Sequence, residues 1–136
     1  MAEALALLAA EQRGWAIEAR SAGVEALTGE PAAPNSVRVI REVGGDLSEH
    51  VAQPVTEELA RWADRVLVME LRHAQAVRQQ FPVADEKIQL LGHFGGVMEV
   101  GDPYGSWIFT YRRSRDVIRK CVEGLFDTLP PRPRRG

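Results

Sequence analysis

Arg65-Val66-Leu67-Val68-Met69 gives the clearest indication of the fold. Its apolar side chains follow one another without alternation, which is typical of a strand buried on both faces of a parallel sheet. Residues 71–81 then carry apolar side chains at helical spacing, and residues 88–91 form a second short apolar run. The order strand, helix, strand predicts an α/β fold with a parallel sheet.

The flanking sequence extends this pattern in both directions. Further elements are predicted as a helix over residues 2–13 that ends at Gly14, a strand over residues 15–20, a helix from Pro34, a helix capped by Thr56, and a long helix from near Trp107. The first helix has no Ser, Thr, Asp or Asn before it that could serve as its cap. Residues 130–136 (P-P-R-P-R-R-G) are basic and rich in proline, and we expect them to be a disordered tail behind one domain over residues 1–129.

Composition limits the classes of function. The 136 residues are 45% hydrophobic and 26% charged, as in an ordinary globular domain. A net charge of −2 gives no reason to expect a nucleic acid or an anionic membrane as partner. The apolar run over residues 4–10 lies between Glu3 and Glu11 and is too short for a membrane span. A single cysteine cannot form an internal disulfide, which favours a reducing cytoplasm.

The loop Val100-Gly101-Asp102-Pro103-Tyr104-Gly105-Ser106 is the strongest candidate for a functional segment. Two glycines and a proline exclude regular structure and predict a loop of fixed shape. Asp102 held there could donate a proton to a substrate, or it could cap the following helix. Tyr104 and Trp107 could form a platform for a ligand, or they could cover the core as an aromatic lid.

Neither a metal site nor a nucleophilic cysteine is predicted from these residues. His50, His73 and His93 lack the spacing of metal ligands. Cys121 lies on the apolar stripe of the last predicted helix, where cysteines are usually inert core residues. The residue six positions after it is Asp127, so the cysteine is not followed by the arginine of a phosphate-binding loop.

An ordered set of short motifs resembles the low-molecular-weight protein tyrosine phosphatase family, which includes protein-arginine phosphatases and related arsenate reductases. The matching segments run from residue 1 to about residue 129 in the family's order. They are M-A-E-A at residues 1–4, R-S-A-G at 20–23, D-L-S-E-H at 46–50, A-D-R-V-L-V-M at 63–69, I-Q-L-L-G at 88–92, D-P-Y-G at 102–105 and Y-R-R-S-R-D at 111–116.

The resemblance implies a three-layer α/β sandwich with a short parallel sheet flanked by helices. It implies that Asp102 is the general acid, that Tyr104 is a wall of the substrate cleft, and that Ser21 and His50 support the phosphate-binding loop from behind. The implied substrate is a phosphorylated protein or a small phosphomonoester, and no metal or cofactor is implied.

One departure from the family pattern affects the expected activity. In the family, a central strand and a C-x-x-x-x-x-R-[ST]-P loop stand directly before M-A-E-A, and that loop supplies the nucleophilic cysteine. The present sequence begins at the methionine after this loop, so we expect a chain without its first central strand that is inactive as it stands. Two alternatives are a catalytically dead binding or regulatory relative, and an arsenate reductase of the same fold.

Two further expectations follow from the resemblance. Without the first strand, the strands at residues 15–20 and 65–69 would expose their edges, and a second copy of the chain or a partner protein could fill the gap. Gly105 stands where the tyrosine-phosphatase branch more often has a second aromatic residue. This slightly favours phosphoarginine over phosphotyrosine as the substrate, although Tyr104 itself is more typical of tyrosine phosphatases.

Overall fold

The computed structural model describes residues 1–24 and 28–134. Its helices and strands, in chain order, are α1 (Ala2–Arg13), α2 (Pro34–Arg41), α3 (Glu57–Trp62), β1 (Val66–Val68), α4 (Leu71–Gln80), a first 3₁₀ segment (Pro82–Lys87), β2 (Ile88–Leu90), a second 3₁₀ segment (Leu91–Gly95) and α5 (Ile108–Thr128). Two helix ends agree with the sequence signals. Gly14 ends α1 in the left-handed conformation at φ 68°, and the Thr56 hydroxyl accepts the Leu59 N–H at 3.2 Å.

The two apolar runs at residues 65–69 and 88–91 form the sheet. β1 and β2 are parallel, with Val66 opposite Ile88 and Val68 opposite Leu90. Helix α4 connects them, as a parallel pair requires. A short parallel sheet flanked by helices is therefore confirmed, although each strand is only three residues long.

The predicted strand over residues 15–20 is wrong. Within the described residues, Trp15 makes one isolated antiparallel bridge with Pro133, and residues 16–22 form no strand. A strand exists only where a neighbouring backbone accepts and donates its hydrogen bonds. β1 pairs only with β2 in the part of the chain that is described, so residues 16–20 have no strand beside them.

The end of the chain, through residue 134, makes backbone contacts with the segment after α1. Disorder of residues 130–136 stays a prediction. The Ala16 N–H donates to the Arg132 carbonyl at 2.8 Å, and the Arg134 N–H donates to the Gly14 carbonyl at 2.9 Å. The Gly14 carbonyl and the Ala16 N–H, just after α1, are thus paired with backbone groups of the tail. Residues 135–136 of the predicted tail lie outside the described residues.

The main core lies between α1, α2, α5 and the second 3₁₀ segment. The largest side chains that it buries completely are Leu5, Ile40, Leu91 and Cys121. This packing leaves the carboxyl ends of β1 and β2, the N-terminus of α1 and the loop before α5 available for a site. Across residues 1–24 and 28–134, no helix combines the length and apolar character needed to cross a membrane.

Candidate active site

A backbone hydrogen bond holds the start of the Asp102 loop against the residue that follows β1. The Val100 N–H donates to the carbonyl of Met69, the residue that follows β1, at 3.0 Å. Oδ1 of Asp102 accepts the Tyr104 N–H at 3.0 Å, which closes an Asx turn around Pro103. The carboxyl group is therefore positioned by its own loop and remains exposed.

Asp102 does not cap the following helix. Helix α5 begins at Ile108, six positions later, and its N-cap residue is Trp107, whose side chain makes no capping hydrogen bond. The Asp102 carboxylate instead accepts a hydrogen bond from the Tyr104 N–H within its own loop. The capping interpretation is therefore wrong, and of the two carboxylate oxygens of Asp102 only Oδ1 accepts a hydrogen bond from the described residues.

Tyr104 and Trp107 do not cover the core. Their residue surfaces are 79% and 76% exposed, which is unusual for aromatic side chains in a folded domain. The aromatic-lid interpretation is wrong, because a lid over the core would be buried. Both rings are instead open to solvent, Tyr104 in the Asp102 loop and Trp107 at the N-cap of α5.

Ser21 and His50, which come from distant loops, meet at Glu3 in the first turn of α1. One oxygen of Glu3 (Oε1) accepts the Ser21 N–H at 2.9 Å, and the other (Oε2) lies 3.3 Å from Nδ1 of His50. The Ser21 carbonyl in turn accepts the Gln53 side-chain amide at 2.9 Å. Glu3 and Gln53 were not among the site residues predicted from sequence, although an acid in the first turn of an uncapped helix is a recognisable signal.

A shallow pocket of about 210 Å³ opens beside this group, and Ser21, Gly23, His50 and Gln53 contribute to its walls. Ala22 and Ala52 also line the pocket, so its walls combine apolar surface with amide and imidazole groups. Such a pocket can position a small polar group or a peptide backbone.

Glu3 and Asp102 both act electrostatically on the amino group of Met1, at the start of α1. Burial lowers the pKa of this amino group, and the negative charges of Glu3 and Asp102 partly offset that effect. Both carboxylates therefore act on the same point at the start of α1. The first N–H groups of α1 have no partner within the helix, so this point favours an anion. The resemblance implied roles for Ser21 and His50, and the structure brings both to Glu3 in the first turn of α1.

The only cysteine of the 136 residues is not part of this site. Cys121 is 0% exposed in the middle of α5, and burial raises the pKa of its thiol. A protonated, enclosed thiol is a poor nucleophile, as expected for a core cysteine. Within the ranges that the structure describes, no three His, Cys, Asp or Glu side chains are grouped so that they could hold a metal ion.

Comparisons with known proteins agree with this geometry. The sequence model of the family "Low molecular weight phosphotyrosine protein phosphatase" matches residues 1–133. The chain is 37% identical to the protein-arginine-phosphatase of Bacillus subtilis (strain 168) over 131 residues, which is 95% of this chain and 87% of that protein.

Two solved structures are similar over nearly the whole chain. One is a mutant of YwlE arginine phosphatase with a phosphorylated active-site serine, with a TM-score of 0.88, 36% identity, and coverage of 94% of this chain and 85% of that one. The other is a low molecular weight protein tyrosine phosphatase from T. tengcongensis, with a TM-score of 0.89, 33% identity, and coverage of 94% and 88%. The chain therefore belongs to the low molecular weight phosphotyrosine protein phosphatase family.

Proposed function

We propose that this protein acts on phosphorylated proteins as the acid-bearing and substrate-binding part of a phosphatase. In this proposal the nucleophilic cysteine comes from a phosphate-binding loop joined ahead of Met1. The observations that carry the proposal are the contacts of Glu3, in the first turn of α1, with Ser21 and His50, and the Asx turn that holds Asp102 in an exposed loop. A loop that leads into Met1 would deliver its phosphate beside Asp102.

Each residue has a definite role in the proposed reaction. A cysteine thiolate attacks phosphorus while protonated Asp102 donates its proton to the leaving atom of the substrate. Asp102 then takes a proton from the water that hydrolyses the phosphocysteine. The Tyr104 N–H holds Oδ1 of Asp102 in place, and the exposed Tyr104 ring forms a wall beside the bound substrate.

Ser21 and His50 contribute indirectly. Glu3 contacts both of them, so these three residues fix the first turn of α1 relative to the loops that surround it. A phosphate-binding loop that enters α1 would therefore be held at a constant distance from Asp102. This role in positioning the loop requires no contact between Ser21 or His50 and the substrate.

The preferred substrate is proposed to be phosphoarginine rather than phosphotyrosine. Gly105 follows Tyr104, so the loop offers one aromatic wall where two would better enclose a phenyl ring. The similarity to the protein-arginine-phosphatase of Bacillus subtilis supports the same choice. A preference for phosphotyrosine peptides of tenfold or more in kcat/KM, about 1.4 kcal/mol, would exclude it.

A second candidate function is binding of phosphorylated proteins without hydrolysis. It is favoured by the burial of Cys121, because the 136 residues then supply no reactive thiolate of their own. The same site would hold a phosphoprotein near the start of α1 and Asp102 without breaking the bond to phosphorus. The DNA ahead of the Met1 codon separates the two candidates, because an in-frame strand followed by C-x5-R-S-P supports the enzyme and a nearby stop codon supports the binding module.

The decisive experiment compares two forms of the protein on p-nitrophenyl phosphate. Residues 1–136 alone should hydrolyse it no faster than buffer, and a form extended through the phosphate-binding loop should be active. In the extended form, Asp102→Asn should lower kcat by about 10²- to 10⁴-fold, because general acid–base catalysis contributes that much. Asp64→Asn, at an exposed aspartate outside the site, is the matched control and should leave kcat unchanged. Equal activity of the Asp102 and Asp64 variants would refute the proposed role of Asp102.

A further inference from the structure

A second concave surface borders the Asp102 loop at Val100 and Gly101. It is a groove of about 220 Å³ between residues 97–101 and the turn of α5 that carries Arg113, Ser114 and Val117. Gly101, at one end of the groove, is bonded directly to Asp102. A ligand in the groove would therefore lie next to the residue assigned as the general acid.

The walls of the groove combine apolar surface with one cation. Val97, Val100 and Val117 contribute aliphatic side chains, and Arg113 contributes a guanidinium group. Phe109, one helical turn before Arg113, is 59% exposed and extends the apolar surface towards the start of α5. Glu99 also lines the groove, so the apolar walls surround one cation and one carboxylate. Apolar walls with a few charged groups can bind an amphipathic side chain.

Arg113 differs from the arginines beside it on α5. Arg112 and Arg115 both form ion pairs with Glu42 of the neighbouring region, at 2.7 Å and 2.8 Å. Among the described residues no carboxylate forms an ion pair with Arg113, although Glu99 also lines the groove. Oε2 of Glu99 accepts the Leu71 N–H at 2.8 Å, at the N-terminus of α4, so this carboxylate already has a partner. The guanidinium of Arg113 is the cation in the groove that is left for a ligand.

We infer that this groove binds the polypeptide that carries the phosphorylated residue, with Arg113 receiving an acidic side chain near that residue. The inference rests on the proposed function for the identity of the occupant, a segment of phosphoprotein substrate. A short acidic segment fits the charge of Arg113, and its aliphatic portions fit the valine walls. Arg113 thereby determines which phosphorylated sites are preferred and takes no part in the chemical step.

The test is a titration of ¹⁵N-labelled residues 1–136 with two unphosphorylated peptides, followed by NMR. The peptides are identical except that two glutamates in one replace two lysines in the other. The glutamate peptide should shift the amide signals of Gly101, Ser114 and Val117 and bind more tightly than the lysine peptide by about two- to fivefold, the range of an exposed ion pair. Raising the salt to 1 M should reduce this difference, because the Debye length falls to about 3 Å.

Variants at Arg113 make the test specific. Arg113→Glu should reverse the preference to the lysine peptide, and Arg113→Lys should keep the original order. Arg119→Glu, which makes the same change on α5 at an arginine that does not line the groove, should leave the order unchanged. Equal binding of the two peptides, or an Arg113→Glu variant with the original preference, would overturn the inference.

Two other outcomes would also overturn it. Peptide-induced shifts confined to residues outside the groove would place the peptide elsewhere. Shifts of the groove amides that depend on protein concentration without peptide would identify a second copy of the chain as the occupant. Because the peptides carry no phosphate, the titration is independent of the hydrolysis assay, and failure of one does not produce failure of the other.

Discussion

Replacement of Gly95 by alanine tests a close approach in the main core. Gly95 ends the second 3₁₀ segment and lies against α5 at Cys121. A Cβ atom at Gly95 would stand 2.5 Å from the Cys121 Sγ, 3.2 Å from its Cα and 3.3 Å from its N. The backbone of Gly95 is not in the left-handed region, so the cost of Gly95→Ala is steric rather than conformational.

The expected loss of stability follows from that distance. A separation of 2.5 Å is roughly 1 Å inside carbon–sulfur van der Waals contact. Cys121 is 0% exposed on a regular helix, so neither its side chain nor its backbone can move away freely. Overpacking of this kind costs about 1–3 kcal/mol in the free energy of unfolding.

Urea unfolding followed by circular dichroism measures the effect. For an m-value of about 2 kcal/mol/M, Gly95→Ala should lower the midpoint by about 0.5–1.5 M without changing m. Gly101→Ala is the control, because a Cβ there meets nothing within 4 Å, and its effect should stay within about 0.5 kcal/mol.

A double-mutant cycle locates the clash. Cys121→Ala removes Sγ, the atom nearest to the new methyl group, so Gly95→Ala should cost less in the Cys121→Ala background. Some cost should remain, because the Cys121 backbone atoms are also closer than usual. A midpoint for Gly95→Ala equal to that of the wild type, or the same cost in both backgrounds, would refute the packing described for the second 3₁₀ segment against α5.

Two other properties can be predicted from the structure. Hydrogen bonds from Arg112, and then from Arg115, lower the pKa of Glu42 from 4.5 to about 2. The unfolded chain therefore binds an extra proton between these two pH values, and stability should fall as the pH drops through that window. In Glu42→Gln this fall should be smaller, and equal pH slopes for the two proteins in thermal unfolding would contradict the assignment. β1 pairs only with β2 among the described residues, so we expect residues 1–136 to assemble with a second copy through the free edge. Size-exclusion chromatography with light scattering should give a mass above 15.1 kDa, and a stable, cooperatively unfolding monomer would contradict this prediction.

Local sequence was sufficient to predict those helices and strands whose formation depends only on residues close together in the chain. The runs at residues 65–69 and 88–91, with helical spacing between them, predicted a parallel β-α-β unit, and β1 and β2 have that arrangement. Gly14 and Thr56 predicted a helix end and a helix start because the required atoms belong to residues within one turn. The order of motifs along the chain was enough to indicate the family.

Properties that depend on a distant partner could be found only in the tertiary structure. Residues 15–20 have the composition of a strand, but strand formation depends on a neighbouring backbone that their own sequence does not specify. Pairing of residues 132–134 with residues 14–16 joins segments more than a hundred positions apart, so a local pattern of prolines and arginines could not predict it.

The candidate site likewise combines features that local sequence predicts with features that depend on distant residues. The D-P-Y-G motif fixed the conformation of Asp102 through a hydrogen bond to a residue two positions away. Glu3 contacts Ser21 and His50 only because the fold brings α1 and two loops together. The ion pairs of α5 likewise depend on the tertiary structure. Glu42 pairs with Arg112 and Arg115 of this helix, and among the described residues no carboxylate pairs with Arg113. The sequence specifies which chemical groups are present and how their immediate backbone folds. The tertiary fold selects which of these groups meet, because such contacts depend on distances between residues far apart in the chain.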